Sequence, residues 1–399
     1  MVEWLNHGFA MSDRAHVNRY WLLSIANACM FVFGAVLLLM GSLLPSLEFT
    51  YSRSGNLGSF PLAGIFVSTV LVGPILDLVG AKKVLVIALA VVAVSLGWMP
   101  ALTRYSELAL AAFLYGVGGG GLNTATNALV ADVSAAGRGR ALNLLGFFFS
   151  LGAISAPLML SSIGHLSTSA VLRGLGALCL GILAVALSVR FPPPLRSGSR
   201  LGSLLGVLSC GTVWLFAALL FFESGSENTM FVWTAKIVTD ALRVSPSRAD
   251  IALVALSGAL GAGRIMAVPC LRWFGSRGLV WISTAVIMAG SLWMRVAGQM
   301  AGMIAATIVV GAGLSAIFPT ALGLAGDRFP EQTGTVFGAI MAGALLGGTA
   351  GPKLAGWVAS HGVRQVLLLP ILAAGGVAAL TAAVTKRRTG RVLTPSPQP

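Results

Sequence analysis

Two acids stand four residues apart inside an apolar stretch, Glu223 and Glu227 in Phe222-Glu-Ser-Gly-Ser-Glu-Asn-Thr229. On a helix, residues i and i+4 lie on one face, so the two carboxylates project together. The apolar run around them spans 204–235. At ~1.5 Å per residue it is longer than a ~30 Å hydrocarbon core requires. Acids inside such a segment are costly, and by default they mark a functional site. Two carboxylates side by side resist ionising together, so one such site can take up and release a proton, or hold a cation. Glu223 and Glu227 are therefore the candidate groups for ion or proton coupling. Glu227 is also a candidate acceptor for substrate hydroxyls. The Gly-Ser surroundings can break the helix here and free backbone carbonyls. The competing reading ends the span before the acids and leaves them in a loop; the apolar Met230–Ala235 that follows argues against it.

Other polar residues fall inside apolar runs. Asn123 and Asn127 are four apart behind the glycines 118–121, with Thr124 and Thr126 between them. Glycines admit a close neighbour, and neutral amides both donate and accept, which suits a neutral polyhydroxylated ligand. Helix-to-helix hydrogen bonding would use the same residues. Trp233, one and a half turns beyond Glu227, is the candidate aromatic face for a sugar ring. Arg264 reads as a gating or counter-charge residue on the cytoplasmic side. Lys353 is left between pairing with an acid, binding an anion, and snorkelling outward.

Enzyme chemistry finds little to stand on. The four histidines, His7, His16, His165 and His361, lie near the ends of apolar runs and none is paired at ligand spacing. No glycine-rich loop ends in Gly-Lys-Ser/Thr, so no nucleotide-driven pump is indicated. Cys29, Cys179, Cys210 and Cys270 all lie within apolar runs and read as small buried hydrophobes. No cofactor or metal is expected beyond a coupling ion, sodium or a proton.

The elements that must position these residues follow from composition. Of 399 residues, 56% are hydrophobic and 10% charged, against about 25% charged in a soluble domain. The net charge of +14 is scattered singly between apolar runs. That is the pattern that orients a membrane protein, not a nucleic-acid patch. Apolar segments fall at about 21–47, 57–76, 84–103, 107–131, 141–164, 170–189, 204–235, 250–271, 279–298, 302–326, 333–360 and 365–385. The proline- and arginine-rich stretch Arg190–Arg200 divides them. The expected organisation is a six-helix bundle over 1–190, a cytoplasmic linker at 191–203 and a second six-helix bundle over 204–399. One set of alternate loops, holding Lys82, Lys83, Arg138, Arg140, Arg272 and Arg277, is about twice as basic with the tails as the other. The basic set, both tails and the linker are therefore placed in the cytoplasm.

The halves repeat a turn. Gly73-Pro-Ile-Leu-Asp77-Leu-Val-Gly80-Ala-Lys82-Lys83 follows span 2, and a segment from Gly263 through Arg272 and Gly275 to Arg277 follows span 8. Duplicated halves place a transporter's site at their interface. Asp77 at a helix end can accept from a neighbouring helix N-terminus when the cytoplasmic side closes. Asp77, Lys82, Lys83 and Arg264 are the candidate gating residues.

Two halves of six spans, with Gly-x-x-x-Asp-x-x-Gly-x-Lys-Lys between spans 2 and 3, resemble the major facilitator superfamily. Leu78 and Ala81 stand where that turn usually has arginines. Within the superfamily, Gly121-Leu-Asn-Thr-Ala-Thr-Asn127, Phe221-Phe-Glu-Ser-Gly-Ser-Glu227, Ala316-Ile-Phe-Pro-Thr320 and Gly347-Gly-Thr-Ala-Gly-Pro352 are similar to the fucose permease-type sugar symporters. Those carry acids where this chain has Gly41 and Asn123, so substrate and coupling ion do not carry over.

The reading is an all-α membrane protein of twelve transmembrane helices in two six-helix bundles, the major facilitator fold. It is a secondary transporter of a small polar solute, a sugar first, working by alternating access and coupled to a cation or proton. Asn123, Asn127, Glu227 and Trp233 are the expected substrate contacts. The alternative is an exporter of hydrophobic or cationic compounds. The lipid bilayer and a small-molecule substrate are the expected partners, with no nucleic acid. The chain is expected to be a monomer in a bacterial inner membrane, both termini cytoplasmic.

Overall fold

The computed structural model describes the backbone of residues 2–134, 138–161, 163–192, 209–329 and 333–386, and among these there is no strand. The first half holds α1 (Val2–Leu43), α2 (Tyr51–Val79), α3 (Ala81–Trp98), α4 (Tyr105–Val133), α5 (Arg138–Leu160) and α6 (Thr168–Ser188). The second holds α7 (Gly211–Leu242), α8 (Pro246–Val296), α9 (Met300–Leu314), α10 (Ile317–Arg328), α11 (Thr333–Ala359) and α12 (Leu368–Lys386). Most of the expected linker, from residue 193 on, lies outside the described residues.

Helices are the form such a chain must take, because in hydrocarbon each backbone N–H and C=O has to find its partner within the segment. Among the described residues, nine helical segments are long and apolar enough to cross a membrane. The remaining crossings are α5, α7 and α11, which is shorter, carries the acid pair, or is glycine-rich, respectively. Gly275 breaks α8 with φ 64 and ψ 169, so that helix makes two crossings. Helices α9 and α10 meet at Ser315–Ala316 and cross once. Twelve crossings in two bundles result, as the sequence pattern predicts.

The duplication is visible in detail. Gly80 and Gly275 both have positive φ (83° and 64°) with extended ψ, a region open to glycine alone. The same offset of 195 (275 against 80) recurs in the packing. A methyl added at Gly116 would strike the Pro61 carbonyl, and one at Gly311 the Leu256 carbonyl. Gly118 lies against Ala88 and Val92, and Gly313 against Ser283 and Ile287. Small residues let helix backbones approach where apolar burial supplies no net drive. The two halves use the same close approaches between equivalent spans.

The two ends of the bundle differ. One carries the α1–α2 turn and is called here the first-turn end; the other carries Gly80, Gly275, the start of α1 and the end of α12 and is called the tail end. Contacts between halves gather toward the first-turn end, where α1 packs on α7 and α2 on α11. A methyl at Gly55 of α2 would lie 2.7 Å from Gly356 Cα of α11. Gly41 of α1 sits against the Phe231 carbonyl of α7, and Gly58 against Val232. A larger side chain at Gly41 would find no room in this arrangement.

Candidate functional site

Helix α7 runs unbroken for 32 residues and places the acids at its middle. The helix break expected around Gly225 is therefore corrected. Thr229 Oγ1 donates to the Gly225 carbonyl (2.6 Å) and Asn228 Nδ2 to that of Ser224 (2.9 Å), holding the turn closed. Gly225 instead provides close approach, its added methyl lying 3.2 Å from the Gly347 carbonyl of α11. The helix also extends past the apolar run to Leu242. Lys236 and Asp240 pair one turn apart at 3.3 Å, which keeps their charges on the helix until Arg243 takes a left-handed conformation.

Glu223 is 1% exposed, and neither carboxylate oxygen has a hydrogen-bond partner among the described residues. Its carboxyl faces that of Glu227, with Arg264 within electrostatic reach. Glu227 pairs with Arg264 of α8, Oε1 to Nη2 3.8 Å, their side chains 14% and 35% exposed. A buried, unpartnered carboxylate costs several kcal/mol as an anion, so this pair accommodates one positive charge besides Arg264. The cluster contains two acids and one base and can bind a proton or small cation.

Asn127 Nδ2 donates to the Asn123 carbonyl (2.8 Å) and to Asn123 Oδ1 (3.0 Å). Asn123 is half-buried and Asn127 exposed, so the shared face expected for these amides is present on α4. The buried Thr124 hydroxyl beside them has no partner among the described residues.

Trp233 differs from its expected role. It is fully buried, its Nε1 donates to the Pro352 carbonyl of α11 (3.1 Å), and its ring lies 6.3 Å from that of Tyr51. An indole already bonded and enclosed is a packing post in this conformation, not an open stacking face. Lys82 also differs. Its Nζ donates to the Leu187 and Val189 carbonyls (2.7 and 2.8 Å) at the end of α6. This contact lies inside one half, so rocking between halves does not break it. Arg264, read as a gating or counter-charge residue, is paired with the acid, as the second of those readings expects. Lys83 is exposed, as is Lys353 on α11. Asp77 lies near the end of α2, and its side chain is outside the described residues.

Other buried charges escaped the sequence reading. Asp250, near the start of α8, is buried beside Ser42 of α1, and its Oδ1 has no partner among the described residues. Tyr51 of α2 directs its hydroxyl at Asp240, and Lys236 Nζ stands 5.8 Å from the Tyr51 ring. The i,i+4 spacing of Lys236 and Asp240 is the signal that the sequence offers for this group.

The sequence pattern described as Major Facilitator Superfamily matches residues 21–224. The chain belongs to this superfamily. Membership makes it a membrane transporter rather than an enzyme. Among solved structures it is similar to the nucleoside transporter NupG, with a TM-score of 0.76 at 14% identity, over 94% of this chain and 100% of that one. It is also similar to a D-xylose-proton symporter (0.73, 15%, 90% and 97%). The E. coli fucose:proton symporter FucP gives 0.62 at 18% identity, over 91% and 98%. At these identities the likeness is one of fold. No curated protein sequence matches the chain.

Proposed function

We propose that this superfamily member moves a small hydroxylated solute, a sugar or sugar-like molecule, by alternating access with a coupled proton or cation. The observation that carries this reading is the Glu223–Glu227–Arg264 cluster at the middle of α7 and α8. Glu223 and Glu227 bind the coupling ion. Glu227, with Asn123 and Asn127 in the other half, contacts the solute. Loading the cluster removes a buried charge and favours the occluded state. The tail end faces the cytoplasm of a bacterial cell, in keeping with its basic loops. Asp77 and Lys83 act there when that side closes, and the working unit is the monomer. The xylose, fucose and nucleoside carriers of like fold support a hydroxylated solute. Arg264 beside the acids disfavours a lipophilic cation by like-charge repulsion, which weighs against the exporter alternative.

The test is uptake into proteoliposomes under an imposed proton gradient, in sodium and in sodium-free buffer, across labelled sugars and nucleosides. Gradient-driven uptake that Glu227→Gln abolishes supports the proposal. Normal uptake by Glu227→Gln with unchanged ion dependence would overturn it.

A further inference from the structure

Arg264 is held in place but not saturated. Its guanidinium offers five N–H donors in a planar fork. Its ionic partner stands at 3.8 Å, well beyond the ~2.7–2.9 Å of a charge-assisted hydrogen bond. It makes no shorter side-chain polar contact among the described residues, and 35% of its side chain is exposed. The fork geometry matches a carboxylate in two parallel bonds. Beside it, Glu223 is buried, and neither of its oxygens has a hydrogen-bond partner among the described residues.

Charge counting then constrains the ligand. With one proton on the two acids, Glu223, Glu227 and Arg264 sum to zero. A solute carboxylate that takes over Arg264 leaves Glu227 without its counter-charge, and neutrality returns when Glu227 takes up one proton. We infer, building on the transporter reading above, that the solute is a hydroxylated carboxylic acid, a sugar acid or hydroxy acid, carried with one proton. Its carboxylate occupies the Arg264 fork, and its hydroxyls meet Asn123 and Asn127. No bond is made or broken except that of the proton. It joins a Glu227 oxygen from water on one side and returns to water on the other, as the solute leaves and Glu227 again pairs with Arg264. One anion and one proton cross together, so the cycle moves no net charge. A neutral sugar offers Arg264 only hydroxyl acceptors and leaves the Glu227 pair intact.

The experiment compares D-glucuronate with D-glucose, which differ at one carbon, and adds gluconate and lactate. Uptake into proteoliposomes is driven by a pH gradient, with potassium and valinomycin setting the membrane potential. The expected result is acid uptake that follows the pH gradient, ignores the potential, and exceeds glucose uptake at least about 10-fold. Arg264→Gln reduces acid uptake about 30-fold or more and Arg264→Lys less, since lysine keeps the charge without the fork. Because Arg264→Gln strands Glu227, the Arg264→Gln/Glu227→Gln double variant serves as the folded control. It still binds no acid in a thermal-shift assay. Proton-driven uptake of glucose that Arg264→Gln leaves unchanged overturns the acid class while the sugar reading stands. Acid uptake that follows the potential overturns the one-proton coupling. Uptake of none of the four overturns both.

Discussion

The Arg264 guanidinium of α8 and the Glu227 carboxylate of α7 stand 3.8 Å apart, one turn along α7 from the buried Glu223. Removing either partner of a fully buried ion pair costs ~3–5 kcal/mol, because the other is left uncompensated. Here Arg264 is about one-third exposed, so screening reduces the effect. Arg264→Gln and Glu227→Gln are each expected to destabilise by about 1–2 kcal/mol. The double variant should cost less than their sum. Thermal unfolding in detergent closes the cycle; strictly additive losses would mean the pair contributes no coupling.

Gly55 and Gly356 bring α2 and α11 together at the first-turn end, with no space for a side chain. The contact joins the two halves, so filling it acts on the conformational equilibrium more than on folding. Gly356→Leu is expected to hold the first-turn end open while leaving helix content unchanged. With native cysteines replaced, a cysteine at Val232, buried in this arrangement beside Gly58, reports the change. Its labelling by a polar maleimide should rise about 10-fold, the equivalent of ~1.4 kcal/mol. Unchanged labelling would show that the contact can be relieved locally.

Trp233 donates to the Pro352 carbonyl and so ties α7 to α11. Trp233→Phe keeps an aromatic ring and removes the donor. Losing one such hydrogen bond costs ~0.5–1.5 kcal/mol, and the smaller ring adds a packing loss. The variant should melt lower and keep the wild-type KM. A raised KM with unchanged stability would instead restore Trp233 as a substrate contact.

What was legible beforehand follows physical range. The spans and the duplicated turn are local patterns. Hydrophobic length gives the first, and the need for glycine at 80 and 275 gives the second. The shared face of Glu223 and Glu227 is helix geometry and needs no tertiary knowledge. Arg264 joining Glu227 depends on how α7 lies against α8, and sequence spacing says nothing of that. The same holds for Asp250 against Ser42 and for the indole of Trp233 reaching α11. The apolar run ends at 235, so hydrophobicity does not show that α7 continues through Lys236 and Asp240 to Leu242. Their mutual pairing, and Tyr51 from α2, make them part of it.

Lys82 shows how one residue type serves either of two roles at the same turn. Its ammonium bonds the carbonyls of Leu187 and Val189, the unpaired acceptors at the end of α6, where the helix dipole also favours a cation. All three residues belong to the first half, so rigid-body rocking of the halves leaves the contact intact. Lys82→Met should therefore lower stability by about 1 kcal/mol or less, the contact being partly exposed. Transport turnover should be unchanged. Lys83→Met, exposed nearby, serves as the charge control. Turnover measured on both variants decides the matter. A large loss of turnover in Lys82→Met at intact stability would place this lysine in a contact that forms and breaks between the halves.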